Sequence, residues 1–255
     1  MKFKHLAVAT ACLAGASQAA VINGRFNHGL TGWQTLGDVS VQHAYNNPRG
    51  LPIEGASSTL ILTTASLYDD DVTGLDAWLN LSGQQTVDVN TDLAAFVGST
   101  ATDLELDPVD HTISAIEGSA ARQNLLVSAG DTLSFQWNLL TRDLAQPDTA
   151  WLVLSPISES GSAQIFTLGQ SPSAGLILES SITNQTGWQS FQYTFSSTGH
   201  VGMSLAVADM NDWGQTSMLA VQNVQITAVP EPESAGLAIA ALALIGVQLW
   251  RRRLG

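Results

Sequence analysis

The chain has 255 residues, 45% of them hydrophobic, with 22 Asp and Glu against nine Lys and Arg and a formal net charge of −13. That length and apolar content suffice for one domain with a substantial core, while the acidity argues against nucleic acid as a partner, because a phosphate backbone repels a surface of its own sign. A single cysteine, Cys12, excludes any disulfide within the chain.

Lys2 and Lys4 precede an apolar stretch over residues 6–16, followed by Ser17-Gln18-Ala19-Ala20. A positive start, a short apolar middle and a small-residue exit make a secretory signal peptide. Residues 1–20 are therefore expected to pass the Sec translocon and be removed by signal peptidase. Ala9-Thr10-Ala11 ahead of Cys12 lacks the large aliphatic residue of a lipoprotein signal. Removal of Cys12 leaves a mature chain without cysteine, which excludes thiol catalysis and cysteine metal sites. Residues 21–228 hold 20 acids, four arginines (Arg25, Arg49, Arg122, Arg142) and no lysine, a net charge of −16. Such an excess keeps an exported domain soluble and leaves cations as candidate partners.

Within residues 21–228 short alternating segments separated by Gly, Asn, Asp and Ser predominate, and long helical periodicity is nearly absent. In 132–140, Leu133, Phe135, Trp137 and Leu139 share one face and Ser134, Gln136 and Asn138 the other, the pattern of a half-buried strand behind a Gly130-Asp131 turn. Strands are likewise predicted at 60–64, 124–127, 150–154, 164–168, 189–195, 200–208 and 219–227. One short helix is predicted over 75–81, with Leu75, Trp78 and Leu79 on one side. Many short strands without a βαβ rhythm predict an all-β antiparallel sandwich or jelly roll.

The mature N-terminus, Asn23-Gly24-Arg25-Phe26-Asn27-His28-Gly29-Leu30-Thr31-Gly32-Trp33, resembles the opening of galactose-binding-like jelly rolls, where an Asn-Gly-x-Phe strand leads to a glycine turn and a buried Trp. Residues 117–137 resemble the central strands of bacterial surface domains that carry PEP-CTERM tails. The resemblance implies a structural Ca2+ held by carboxylates after the N-terminal Phe and on the closing strand. Here those positions hold Asn27 and Gln222, amides that offer oxygen without the negative charge a hard cation prefers.

Two acidic clusters are the other candidates for Ca2+, and no cofactor is required. Asp69, Asp70 and Asp71 sit in a predicted turn, and Asp103, Glu105 and Asp107 would share one face of an extended segment. Neither has the glycine and glutamate of an EF-hand loop, and solvated turns and edge protection explain them better than cation binding does. His28, His43, His111 and His200 are scattered, and no metalloprotease, nucleophile-elbow, phosphate-loop or dinucleotide fingerprint occurs. A glycan hydrolase would need two carboxylates flanking a cleft, which the sequence does not identify. Among Trp33, Trp78, Trp137, Trp151, Trp188 and Trp213, most are expected in the core or capping it. Trp213 stands apart in the polar loop Asp209-Met210-Asn211-Asp212-Trp213-Gly214, and with Asp209 and Asp212 it forms the candidate ligand site.

The chain closes on Val229-Pro230-Glu231-Pro232, an apolar run over 234–250 and Arg251-Arg252-Arg253. Seventeen helical residues span roughly 25 Å, a little short of the hydrocarbon core. Trp250 at the interface and the terminal arginines place the C-terminus in the cytoplasm and the domain outside. These parts in this order resemble the PEP-CTERM sorting signal of Gram-negative bacteria, which implies recognition and removal by exosortase. The organisation expected is a signal peptide (1–20), a β-sandwich ectodomain (21–228) and a sorting signal (229–255) with motif 229–232, transmembrane helix 234–250 and basic tail 251–253. The function expected is that of a non-catalytic protein anchored transiently in the inner membrane and then released to the cell surface or extracellular matrix, in association with exopolysaccharide. A carbohydrate-binding module for a matrix glycan is the alternative, and a secreted glycan hydrolase the third class.

Overall fold

A computed structural model describes residues 20–43, 58–67, 76–106, 112–143, 146–157, 161–171, 184–229, 240–242 and 244–245. Its strands are β1 (Gln34–Leu36), β2 (Asp38–His43), β3 (Ser58–Thr63), β4 (Val87–Asp88), β5 (Ala115–Val127), β6 (Thr132–Thr141), β7 (Thr149–Pro156), β8 (Gln164–Gln170), β9 (Asn184–Gln185), β10 (Gln189–Thr194), β11 (Gly199–Met210) and β12 (Ser217–Thr227). One sheet runs β1-β5-β11-β7-β8 with β4 also on β5; the other runs β10-β6-β12-β3-β2 with β9 also on β6. Every pairing is antiparallel, so the predicted sandwich is the fold.

Between the sheets lies the main core, to which Leu133, Phe135, Trp137 and Leu139 of β6 contribute together with Leu60, Leu62, Leu152, Met203, Leu205, Leu219 and Val221. The alternation in β6 thus reports its burial correctly. Phe26 and Trp33 close one end of this core, their rings 5.3 Å apart. Val224 N donates to the Gly24 carbonyl at 2.9 Å, and a Cβ on Gly24 would come within 1.9 Å of the Val224 carbonyl oxygen. This close backbone approach is why the N-terminal segment needs glycine there.

The open side of the sandwich, where edge strands β8 and β10 face each other, is sealed by stacked and edge-on aromatic rings. Phe166 meets Phe191 and Tyr193 at 5.4 and 5.3 Å, and Phe135 stacks on Phe191 at 5.0 Å. Tyr193 Oη donates to Gln164 Oε1 at 2.7 Å, tying the polar rim of the two edges.

A second core lies on the outer face of the first sheet. Residues Val89–Leu93 form one wide helical turn, α2 (Ala94–Val97) follows, and Thr102–Leu104 add a tight turn. Val89, Leu93, Val97 and Leu104 pack on Ala120, Trp151, Val153, Ala206 and Ala208. Gly98 at φ +79 ends α2 in the left-handed conformation and its N–H reaches the Ala94 and Ala95 carbonyls. A third, smaller core covers part of the other sheet, where Ile61, Leu140, Met218 and Ala220 pack under Leu79 of α1 (Asp76–Leu79). These covers explain why β3 is buried at every residue, and β7 at every residue but its last, a pattern that period-2 alternation does not anticipate.

Several sequence expectations are corrected. The strand predicted at 124–127 begins at Ala115, its first half hidden by small and polar residues that fit beneath the helical layer. The short helix near Leu79 exists, but Trp78 is 47% exposed while Leu79 is 2% exposed, because adjacent residues on a helix point about 100° apart. The extended segment expected at Asp103 is a tight helical turn. Strands β1, β2, β4 and β9 and the helical layer were not predicted.

Candidate functional site

The two central strands, β11 and β12, are joined by the loop 211–216, which crosses from one sheet to the other at the end of the molecule remote from Thr227. The connection from β6 to β7 crosses at the same end. This pole carries the candidate ligand residues. Asn211 and Gln215 adopt left-handed backbone conformations at φ 68 and 71. Asn211 N donates to the Ser114 carbonyl and its Oδ1 accepts from Ser114 N, both at 2.9 Å. Gly214 N donates to Asp212 Oδ1 at 3.0 Å, a side-chain turn of the kind Asp favours. So held, Trp213 is 53% exposed, Asp212 is half-buried, and Asp209, still within β11, is 1% exposed. The structure therefore brings Trp213 and Asp212 to the surface together and keeps Asp209 inside.

Beneath the loop lies a polar cluster that the sequence did not reveal. Asp148 is fully buried; its Oδ1 accepts from Met210 N at 3.1 Å and its Oδ2 lies 2.6 Å from Ser217 Oγ. Ser217 Oγ lies 2.7 Å from Thr141 Oγ1, which in turn contacts the Asp143 carbonyl at 3.1 Å and accepts from Asp143 N at 2.9 Å. Burial pushes the Asp148 carboxyl up to about 8; the bonds from Ser217 and Met210 oppose this, and the negative charges of Asp143 and Asp212 add to it. The cluster fastens the ends of β6, β7, β11 and β12 at one point.

The other candidates fare differently. Asp103 is engaged locally: its Oδ2 accepts from Thr100 Oγ1 at 2.7 Å, Thr100 N at 3.1 Å and Ser99 Oγ at 3.1 Å, which holds its carboxyl below the usual range, Thr100 being the main cause. Glu105 follows that turn, while Asp69, Asp71 and Asp107 lie outside the described residues. Among the described residues no group of three His, Cys, Asp or Glu is placed to hold a metal ion. Asn27 is exposed, whereas Gln222 is buried and donates from Nε2 to Thr59 Oγ1 at 2.6 Å.

At the opposite pole β12 ends at Thr227, and Val229 N donates to Asp131 Oδ1 at 3.3 Å. Pro230, Glu231, Pro232 and the arginines Arg251, Arg252 and Arg253 lie outside the described residues, as does most of the expected signal peptide. Of the expected span 234–250, residues 240–242 and 244–245 are described and helical, with Leu242, Leu244 and Ile245 exposed. No helix among the described residues is long and apolar enough to cross a membrane.

Comparison with known proteins bears on both the domain and the tail. No curated protein matches the chain. Among solved structures, similarity covering 82% of this chain and 97% of the other is found to TmCBM61, in complex with beta-1,4-galactotriose, at 10% identity and a TM-score of 0.40. The K1 cleaved adhesin domain of Lys-gingipain from Porphyromonas gingivalis W83 is similar at 11% identity over 84% of this chain and 99% of that one, with a TM-score of 0.43. The CBM22-1 xylan-binding domain of Paenibacillus barcinonensis Xyn10C is similar at 11% identity over 84% and 100%, with a TM-score of 0.36. Residues 228–253 carry the PEP-CTERM protein-sorting motif.

Proposed function

We propose that this chain is an exported, non-catalytic surface protein that its tail holds in the inner membrane until exosortase cuts at or near Val229-Pro230-Glu231-Pro232, after which the sandwich serves at the cell surface or in the extracellular matrix. The observation that carries this reading is the sorting motif over residues 228–253, set directly behind β12 with no linker domain between. The signal-peptide pattern of residues 1–20 supports the same route. Intact-mass analysis of released protein tests it: the expected species starts near Val21 and ends before Ser234, and released protein retaining Arg253 overturns the processing step.

A second reading, that the domain binds a matrix glycan, is favoured by Trp213. Its exposed indole offers a flat apolar surface suited to the apolar face of a pyranose ring, and a neighbouring carboxylate, Asp212, can accept hydrogen bonds from sugar hydroxyls. β12 is 11 residues long, so at about 3.4 Å per residue roughly 35 Å separate this loop from the tail, and an exopolysaccharide could be engaged while the protein is still anchored. Trp213→Ala is expected to abolish binding on a glycan array probed with and without Ca2+, and to shift stability by no more than about 0.5 kcal/mol, as for an exposed side chain. Wild-type protein that binds nothing on the array counts decisively against this reading and leaves the sorting reading intact.

A further inference from the structure

Three of the exposed aliphatic side chains gather at the pole opposite Trp213. Leu126, Ile157 and Val229 are 40, 43 and 53% exposed there. Leu126 of β5 pairs with His200 of β11, and Ile157 N donates to the His200 carbonyl at 3.1 Å, so the two aliphatic residues flank one point of the rim. Val229 packs beside Gly130 in the neighbouring turn. Around them the turns present small uncharged residues, among them Ser128, Ser162, Ser196, Ser197 and Thr198. Asp131 is the only carboxylate among the described residues of these turns; it is 2% exposed and accepts from Ser128 N at 2.8 Å as well as from Val229 N.

Chain length fixes how near this pole must come to a membrane. Only residues 230–233 separate Val229 from the start of the apolar run at Ser234, and at most about 3.5 Å per residue allows roughly 17 Å from Val229 to the span. The headgroup region on one side of a bilayer is itself about 5–8 Å thick, so the pole must hang at or just above the headgroups.

We propose that this pole is a membrane-resting face: while the tail is attached, Leu126, Ile157 and Val229 lie against the outer surface of the bilayer that holds residues 234–250 and keep the sandwich upright on it. The inference rests on the reading of the tail as an anchor. Three aliphatic side chains would bind a membrane poorly on their own, but a tether keeps them at high effective concentration beside it, where a weak apolar contact suffices. Electrostatics favours the same orientation. Asp143 and Asp212, with Arg142 beside them, sit at the far pole, several Debye lengths of about 8 Å from an anionic surface, whereas the inverted domain would bring them against it.

The test uses the mature chain, residues 21–255, which has no cysteine and so leaves every position free for a single label. A fluorophore is placed at Ser197→Cys near the resting face or at Gln84→Cys near the far pole, and the protein is reconstituted into phosphatidylethanolamine–phosphatidylglycerol vesicles whose headgroups carry a nitroxide quencher. The label at position 197 is expected to lose most of its emission and that at 84 to keep it, and Leu126→Glu with Ile157→Glu is expected to restore the emission at 197 without changing flotation with the vesicles. Protein that floats with both labels equally bright overturns the resting face alone, as does quenching at 197 that the double variant leaves unchanged. Protein that fails to float overturns the anchor and this inference with it.

Discussion

Asp148 makes the sharpest statement available at the scale of one residue. With its carboxyl protonated, Asp148 can donate to Ser217 Oγ, Ser217 to Thr141 Oγ1 and Thr141 to the Asp143 carbonyl, so that three hydrogens serve the three contacts of 2.6, 2.7 and 3.1 Å. Ionisation removes one hydrogen and leaves a buried contact without a donor, which costs more than an ordinary hydrogen bond contributes. The folded-state value of about 8 lies above the ~3.9 of an unfolded Asp. Between these limits the native state holds a proton that the unfolded state has released, so stability is fully present below the unfolded value and falls as pH rises to about 8, by at most about 1.4 kcal/mol per pH unit. Melting temperatures followed by tryptophan fluorescence should therefore decline from pH 5 to pH 8 in the wild type more steeply than in Asp148→Asn, whose amide supplies the missing donor at any pH. Parallel slopes for the two proteins would refute the protonated cluster. Asp103, lowered by its Thr100 bonds, acts in the opposite sense and only at more acidic pH, where its exposed carboxylate protonates and the small stabilisation of that turn is lost.

Among elements, the helical layer over the first sheet is the part on which stability most visibly depends. Trp151 of β7 is 2% exposed between that layer and the sheet, and Trp151→Ala is expected to cost about 3–5 kcal/mol by cavity formation, read from the midpoint of urea unfolding. Gly118→Ala should also destabilise, because the added Cβ would fall 2.1 Å from the Val207 carbonyl oxygen on the neighbouring β11; a midpoint equal to the wild type would mean the two strands can part without loss. The legibility of the fold follows from the same packing. β10 and the first half of β6 alternate along one solvated face and could be read directly, whereas β5 carries Gly118, Ser119, Ala120 and Ala121 where close packing demands small residues, so hydropathy is silent there. Residues 89–104 look like an acidic loop with isolated Val and Leu, and only the apolar outer face of β7 shows why they fold onto it. Trp213 was legible as exposed because its neighbours are polar, but Asp209 was not legible as buried, since an Asp at the end of a strand reads as loop. The Asp148 cluster joins residues from 141 to 217 and left no local signal.

For the whole molecule, the two poles differ: one bears Val21, Ala228 and the exposed aliphatic residues Leu126, Ile157 and Val229, the other Asp212 and the exposed Trp213. Val21 and Ala228 line the same cavity, of about 570 Å³, so the two ends of the described domain lie side by side. Deleting residues 230–255 is expected to leave the domain's melting temperature unchanged while the protein moves from the membrane to the medium, as cell fractionation would show; a domain that unfolds on this deletion would refute its independence from the tail. The position of β12 carries a further consequence, one of timing. It is the last strand to be synthesised, yet it lies in the middle of its sheet between β6 and β3, and pairings this distant in sequence form late and slowly. At about 5–20 residues per second, the apolar run of the tail follows β12 off the ribosome within a few seconds. The sandwich therefore cannot close until the chain is within a few seconds of residues 234–250, so any step that needs the tail finds every described strand already delivered.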